Sequence, residues 1–271
     1  MRAPIVPNRQ LALPAIVPAR RGPLPRIGPL RLGRADLHVH TWWSDGAQAP
    51  EVVVQAAAGK VDVIAITDHD EIRGGQAAVA FARDHPGLGV EVVVGEEIST
   101  LNGHLLGLYL EERIPPGLSA ARTIELIHAQ GGLAAAAHPF HPFRGHARGH
   151  PPIGHVIPDL PLDAIEVVNN AGVWSWLYDG WAALRNAEWL LPVVGGSDAH
   201  DIWHLGNGVT RFEGRSARAL RRAVERRRTR AHVNGTWTPR KLPRHLGIQV
   251  SALVRFLRAS WVPRSSMSPA R

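Results

Sequence analysis

The 271-residue chain contains no cysteine. Disulfides and thiolate metal ligands are therefore excluded, imidazole and carboxylate remain as the strong ligand types, and the redox compartment is left open. Tyrosine and phenylalanine are scarce, 2 and 5 against 15 histidines, so the ring inventory is tilted toward metal ligands and proton carriers. No segment approaches 18 consecutive apolar residues, which excludes a membrane-spanning helix and makes a soluble, cytoplasmic protein the expectation. The first 34 residues hold seven prolines and no apolar run long enough for a signal-peptide core, and are expected to form a disordered or loosely attached leader. There is no Gly-x-Ser-x-Gly elbow and no internal repeat.

Acidic residues are missing from both ends. Residues 1–34 carry seven arginines and no acid (+7), residues 35–210 carry 8 basic and 21 acidic residues (−13), and residues 211–271 carry 16 basic and 2 acidic (+14), which sum to the net +8. The acidic centre concentrates carboxylates where cations can be held, while the basic ends suit phosphate-rich polymers or acidic lipid surfaces. In the tail, Leu246, Val250, Leu253, Val254, Leu257 and Trp261 fall on one stripe of a helix with Arg255 and Arg258 off it. This basic amphipathic tail, residues 236–271, is expected to pack on the barrel or a partner chain, with contact to an anionic surface as the competing reading.

With 45% hydrophobic residues the chain can bury one large core. From residue 35 the pattern alternates. Short apolar runs at 35–39, 61–66, 90–94, 133–137, 163–168 and 192–195 are separated by Ala-rich or amphipathic stretches at 50–58, 74–84, 119–130, 176–190 and 216–228. That alternation predicts parallel strands with crossover helices, an α/β barrel or doubly wound sheet over residues 35–235. Pro50 stands at a first-turn position, Gly131-Gly132 closes a helix, and Asn102-Gly103 signals a tight hairpin.

The polar clusters fall at the carboxyl ends of these runs: "DLHVHTWWSDG" with His38, His40 and Asp45, "TDHD" with His69, "GEEIST" with Glu96 and Glu97, "GHLLGL" with His104, "AAAAHPF" with His138, and "GGSDAH" with Asp198 and His200. In barrels the carboxyl ends of the strands carry the active site, so residues distant in sequence converge there. His38 and His40, two apart on an extended strand, project from one face and can grip one ion; Asp198 and His200 repeat the spacing. A His and carboxylate set suits Zn²⁺, Mn²⁺ or Fe²⁺, with Mg²⁺ tolerated at oxygen-rich positions. Asp68 is expected on the opposite side of its strand end or bonded to a neighbouring ring, and Asp70 and Glu71 are expected to be solvated. Asp36 and Glu166 are expected either to orient ligands or to accept backbone donors. The loop 138–161 holds five histidines with Arg144 and Arg148. It follows a strand carboxyl end, so it is expected to overhang the site, where an arginine can clamp a phosphate.

These motifs, in this order over residues 35–200, resemble the PHP family, named for polymerase and histidinol phosphatase, and in particular its short bacterial phosphoesterases. The resemblance implies a distorted seven-stranded, TIM-like (β/α) barrel with two to three divalent metal ions. It implies a first metal on His38, His40, Glu97 and Asp198, a second on Asp45, His69 and His200, and a third on Glu97, His104 and His138. Asp45 stands where some members have histidine, which hardens the site. The implied activity is hydrolysis of a phosphate ester by attack of a metal-bound hydroxide, with His200, Asp198 and Arg144 as catalytic candidates and a small phosphorylated substrate or a nucleotide or oligonucleotide as partner. The 33 residues between His104 and His138 leave no room for the cap domain of members similar to nucleoside bisphosphate phosphatases. Two other classes remain: a carboxyl ester or carbamate hydrolase on the same metals, as in a related branch that the chain also resembles, and a non-enzymatic nucleic-acid or membrane-surface binding protein.

Overall fold

A computed structural model describes residues 32–141, 152–169 and 175–235. Within them the elements run β1 (Leu32–Asp36), α1 (Pro50–Ala57), β2 (Val63–Ile66), α2 (Arg73–Asp84), β3 (Glu91–Thr100), β4 (Gly103–Leu108), α3 (Ala120–Ala129), β5 (Leu133–Ala136), β6 (Ala164–Asn169), α4 (Ser175–Trp189), β7 (Val193–Gly196), β8 (Gly208–Glu213), α5 (Ala217–Glu225) and β9 (Arg230–Val233). The six apolar runs and five amphipathic stretches read from the sequence correspond to β1, β2, β3, β5, β6 and β7 and to α1–α5. β1 begins at Leu32, inside the segment assigned to the leader. The rest of that leader and the tail from residue 236 lie outside the described residues.

Local chemistry explains the elements. Every residue of β2 (VIAI) and β5 (LAAA) is buried, as strands covered on both faces require. Pro50 occupies the first turn of α1, while Ser119 and Ser216 cap α3 and α5 by accepting the backbone N–H of Arg122 and Ala219. Gly103, with φ of +113°, makes the turn between β3 and β4.

One sheet holds nine strands in the order β7-β6-β5-β4-β3-β2-β1-β8-β9. β1, β2 and β3 run parallel, as do β5, β6 and β7, and β4 joins the two sets antiparallel. The expected seven-stranded barrel thus has two more strands, β8 antiparallel to β1 and β9 antiparallel to β8. Neither shows a continuous apolar run: β8 (GVTRFE) is mostly buried but interrupted by Thr210 and Arg211, and β9 (RAHV) is an exposed edge that needs none.

The sheet curls until its first and last parallel strands meet. The Thr210 hydroxyl of β8 donates to Gly195 O at 2.9 Å and accepts from Gly195 N at 2.8 Å. Beyond the strand ends Val39 pairs with Ala199, the His40 N–H donating to Ala199 O at 2.9 Å. Asp36 fastens the same seam, its carboxylate accepting the Ser197 N–H (2.8 Å), the Ser197 hydroxyl (2.6 Å) and the Gly206 N–H (2.8 Å). Gly196 permits this closeness: a methyl group there would lie 2.4 Å from His38 Cβ.

Candidate metal centre at the barrel mouth

Strand alternation aims the site. Val39 packs into the core with Val53, Val54 and Ile64, so His38 and His40 on either side of it turn toward the barrel axis. In β3 the same rule separates two neighbours. Glu97 reaches the axis, whereas Glu96 turns outward, stays buried, and accepts the Ile114 N–H at 2.9 Å.

Glu97 is the hub. Its Oε1 lies 2.6 Å from His104 Nδ1 and 2.9 Å from His138 Nε2; its Oε2 lies 3.1 Å from His38 Nε2 and 3.3 Å from both His40 Nε2 and His69 Nδ1. Asp198 Oδ1 stands 3.3 Å from His40 Nε2, 3.5 Å from His200 Nδ1 and 3.6 Å from His38 Nε2. Asp45 Oδ2 stands 3.0 Å from His200 Nε2 and 3.8 Å from His69 Nε2. The nine metal-ligand candidates therefore converge on one place. Four sets offer ligand atoms within 4.8 Å of one another: His40, Asp45, His69 and His200; His38, His138 and Asp198; His38, His40 and Glu97; and His69, Glu97 and His104. Compared with the grouping implied by the family resemblance, His40 also faces the Asp45 set, and His138 falls with His38 and Asp198.

The cluster's own electrostatics suit a divalent ion. Both ring nitrogens of His40 are buried without a hydrogen bond, an arrangement costly for a polar ring unless an ion completes it. Burial pushes His69 down to about 3 and His138 down to about 4, keeping these rings in the neutral, ligating form. For Glu97 and Asp45 burial works against ionisation, but the surrounding imidazoles outweigh it and hold both carboxyls well below their usual range. His38 is pushed up to about 10: burial opposes this, and the carboxylates of Glu97 and Glu166 prevail.

Supporting groups fix the rings. Glu166 accepts from His38 Nδ1 at 3.2 Å and from the His138 N–H at 2.7 Å, leaving His38 Nε2 facing Glu97. His200 Nδ1 donates to Asp198 O at 2.9 Å, which turns its Nε2 toward Asp45. Asp68 accepts the Thr41 N–H, the Thr41 hydroxyl and the Ser44 hydroxyl, each at 2.7 Å, so it anchors the loop carrying Asp45 and, among the described residues, bonds no ring. Asp70 is not merely solvated either: its carboxylate accepts the Ser99 N–H at 2.8 Å, with φ of +50°. Glu71 accepts the N–H groups of Ile72 and Arg73 and pairs with the Arg73 guanidinium.

Asn169, at the end of β6, was not foreseen. Its amide nitrogen donates to Glu166 Oε2 at 3.0 Å and to Asp198 Oδ2 at 3.3 Å, joining the two carboxylates. The signal was available, since "VVNN" stands at a strand carboxyl end like the other clusters. Asp179 of α4 accepts the Asn169 N–H at 3.0 Å; burial and the nearby Glu166 charge push it up to about 8, against that bond. His138, His141 and residues 152–161 of the anticipated overhanging loop are described, with Ile153 packed under the Gly103 turn. Arg144 and Arg148 lie outside the described residues.

Parts of the chain are similar to known proteins. Residues 36–138 match the PHP domain model and residues 182–229 the PHP-associated model. An uncharacterised protein of Methanocaldococcus jannaschii is 42% identical over 148 residues, which cover 50% of this chain and 81% of that protein. A 5'-3' exoribonuclease of Haemophilus influenzae is 39% identical over 85 residues, 30% of either chain. In the crystal structure of a two-domain Bacteroides vulgatus protein containing a predicted PHP-like metal-dependent phosphoesterase, the similarity covers 75% of this chain and 65% of that one, with a TM-score of 0.58 and 23% identity.

Proposed function

The chain belongs to the PHP domain family, and from that premise we propose that it is a metal-dependent phosphoesterase whose two to three divalent ions sit among His38, His40, Asp45, His69, Glu97, His104, His138, Asp198 and His200. The observation that carries this reading is the convergence of six imidazoles and three carboxylates, Glu97 the most connected of them, in one cluster. Zn²⁺, Mn²⁺ and Fe²⁺ match the mixed nitrogen and oxygen donors, and the three histidines that accompany Asp45 make its set the least suited to Mg²⁺. Bound there, such ions would supply positive charge to the phosphoryl oxygens and acidify an attacking water.

The chain's own residues account for the rest. Glu97 keeps five rings in one register. Glu166 and the Asp198 carbonyl hold His38 and His200 with a chosen nitrogen inward, while Asp36 and Asp68 secure the backbone on either side. His200, whose Nε2 faces Asp45, and Asp198 are our catalytic candidates beside the metals, and Arg144 is our candidate phosphate clamp. Among the described residues no helix is long and apolar enough to cross a membrane. The exoribonuclease similarity supports a nucleotide or oligonucleotide substrate, and a small phosphorylated compound is the simpler alternative.

The deciding experiment is elemental analysis with a panel of phosphomonoesters, phosphodiesters and matched aryl carboxyl esters. At least two ions per chain and hydrolysis confined to phosphate esters are expected. Turnover of the carboxyl esters alone would transfer the same site to carbonyl chemistry, and fewer than one ion per chain in active protein would end the metal reading.

A further inference from the structure

At the far end of the barrel from the metal centre, the end of β8 and helix α5 enclose an open cleft of about 380 Å³. Its rim carries Arg222, Arg226 and Arg228, and Glu213 is the one acid lining it. The distance from the metals follows from strand register. Glu213 pairs with Leu32 at the start of β1, and His38 stands six residues further along, roughly 20 Å at 3.3 Å per residue.

Local structure makes the three arginines converge. α5 buries Ala219, Leu220, Ala223 and Val224, so Arg222 and Arg226, one turn apart, share the outer flank. The chain then doubles back, the Arg228 N–H donating to Ala223 O at 2.8 Å, and brings the third guanidinium to the same cleft. The two alanines that line it leave space rather than fill it.

Neighbouring arginines have other work. Arg215 pairs with Asp62, Arg221 with Glu225, and Arg227 donates to Leu190 O. Arg222, Arg226 and Arg228 make no side-chain hydrogen bond or ion pair among the described residues. Nor can the rest of the chain supply an acidic side chain: all 23 aspartates and glutamates lie within the described residues, none in 1–31, 142–151, 170–174 or 236–271. Three guanidinium groups facing one cleft against a single carboxylate repel one another until an external anion enters.

We propose that this cleft binds consecutive phosphates of a nucleic-acid backbone, a second contact surface remote from the metal centre. Guanidinium forks match phosphate oxygens in bidentate geometry. The lining offers no ring to stack a base and no large apolar side chain to enter a lipid layer, so it reads phosphate alone. Residues 211–230 contain nine arginines and two glutamates, more positive charge than one isolated phosphate needs. This assignment is independent of what the metal centre hydrolyses.

The test is fluorescence anisotropy of a labelled 20-nucleotide RNA with the full-length protein across a salt series. R222Q/R226Q/R228Q should weaken binding by 10-fold or more near 100 mM salt and lower the slope of log affinity against log salt by about 2, since each lost phosphate contact removes about 0.7–0.9. Hydrolysis of a small phosphomonoester should be unchanged. R83Q/R122Q/R185Q removes the same charge from exposed arginines paired with Asp84, Glu125 and Glu188, and should bind like the parent. R222K/R226K/R228K keeps the charge, should fold wherever the glutamine variant does not, and should retain the salt slope with weaker binding. Equal loss in the glutamine and control variants would reduce the effect to net charge and overturn the proposal. No loss in either would also overturn it, as would a loss of phosphatidylserine-vesicle binding with RNA binding intact.

Discussion

Replacing Glu97 by glutamine tests the centre of the proposed site, and replacing Glu96 supplies the matched control one residue away. Glu97 places two oxygens within 3.3 Å of five imidazoles. An amide keeps the shape but removes the charge and offers only one acceptor, so one side of the cluster must face an N–H₂ group that cannot ligate an ion. We expect E97Q to lose at least one ion per chain and to lower kcat by 100-fold or more, about 3 kcal/mol of transition-state stabilisation. Glu96 points away and, among the described residues, accepts only from the Ile114 N–H, a bond that the carbonyl of a glutamine can keep. E96Q should retain its metals and most of its activity. The assay is elemental analysis alongside kcat on the preferred phosphate ester. Equal damage from the two substitutions, or greater damage from E96Q, would refute the strand register and the ligand assignment at Glu97 together.

G196A should displace His38, because the added methyl group would sit 2.4 Å from His38 Cβ; a fall in activity of at least 10-fold with lowered metal content is expected, and unchanged metal content and activity would refute it. Chelation should abolish activity and lower Tm, since ions that bind only the folded chain stabilise it by mass action; scanning calorimetry with and without added Mn²⁺ or Zn²⁺ measures this. Burial raises the folded-state carboxyl of Glu96 to about 8, against the bond from Ile114, from an ordinary value near 4.5. Its neutral form therefore contributes stability fully below about 4.5, and that contribution is lost as pH rises through 8. Urea unfolding from pH 5 to 8.5 should show a decline that E96Q flattens, and parallel curves for the two proteins would contradict the assignment.

The parts of the fold legible in the sequence are those whose burial leaves a periodic mark. β2 and β5 are covered on both sides and read as unbroken apolar runs, and α3 and α5 announce themselves by a serine cap and an apolar stripe. β9 leaves no such mark. Its four residues, Arg230 to Val233, are mostly exposed, and only backbone pairing with β8 makes them a strand. The start of β1 at Leu32 was hidden for the same reason: Leu32 is 54% exposed, and its strand identity comes from pairing with Glu213.

The site was legible to the extent that its chemistry follows from the rule that strand carboxyl ends converge. What the rule cannot provide is the partner of each carboxylate. Asp36 and Glu166 look alike in sequence, each a lone acid in an apolar strand. Asp36 meets Ser197 and Gly206 and becomes a clasp for the barrel seam, whereas Glu166 meets His38 and His138 and sets a ring's direction. Ser197 lies 161 residues from Asp36 and His38 lies 128 from Glu166, brought together only when the sheet has curled. The two acids should therefore fail differently. D36N exchanges a carboxylate that accepts four hydrogen bonds, the longest of them (3.5 Å) from the His38 N–H, for a side chain with one acceptor oxygen, leaving donors at the seam unpaired and costing on the order of 1–3 kcal/mol of stability. E166Q leaves the seam intact and weakens the hold on His38, so it should lower metal affinity by about 10- to 100-fold with a smaller change in Tm. Metal titration and thermal unfolding of the two variants separate these outcomes, and a variant pair that lost stability and metal affinity in the same proportion would show that the seam and the site are a single unit.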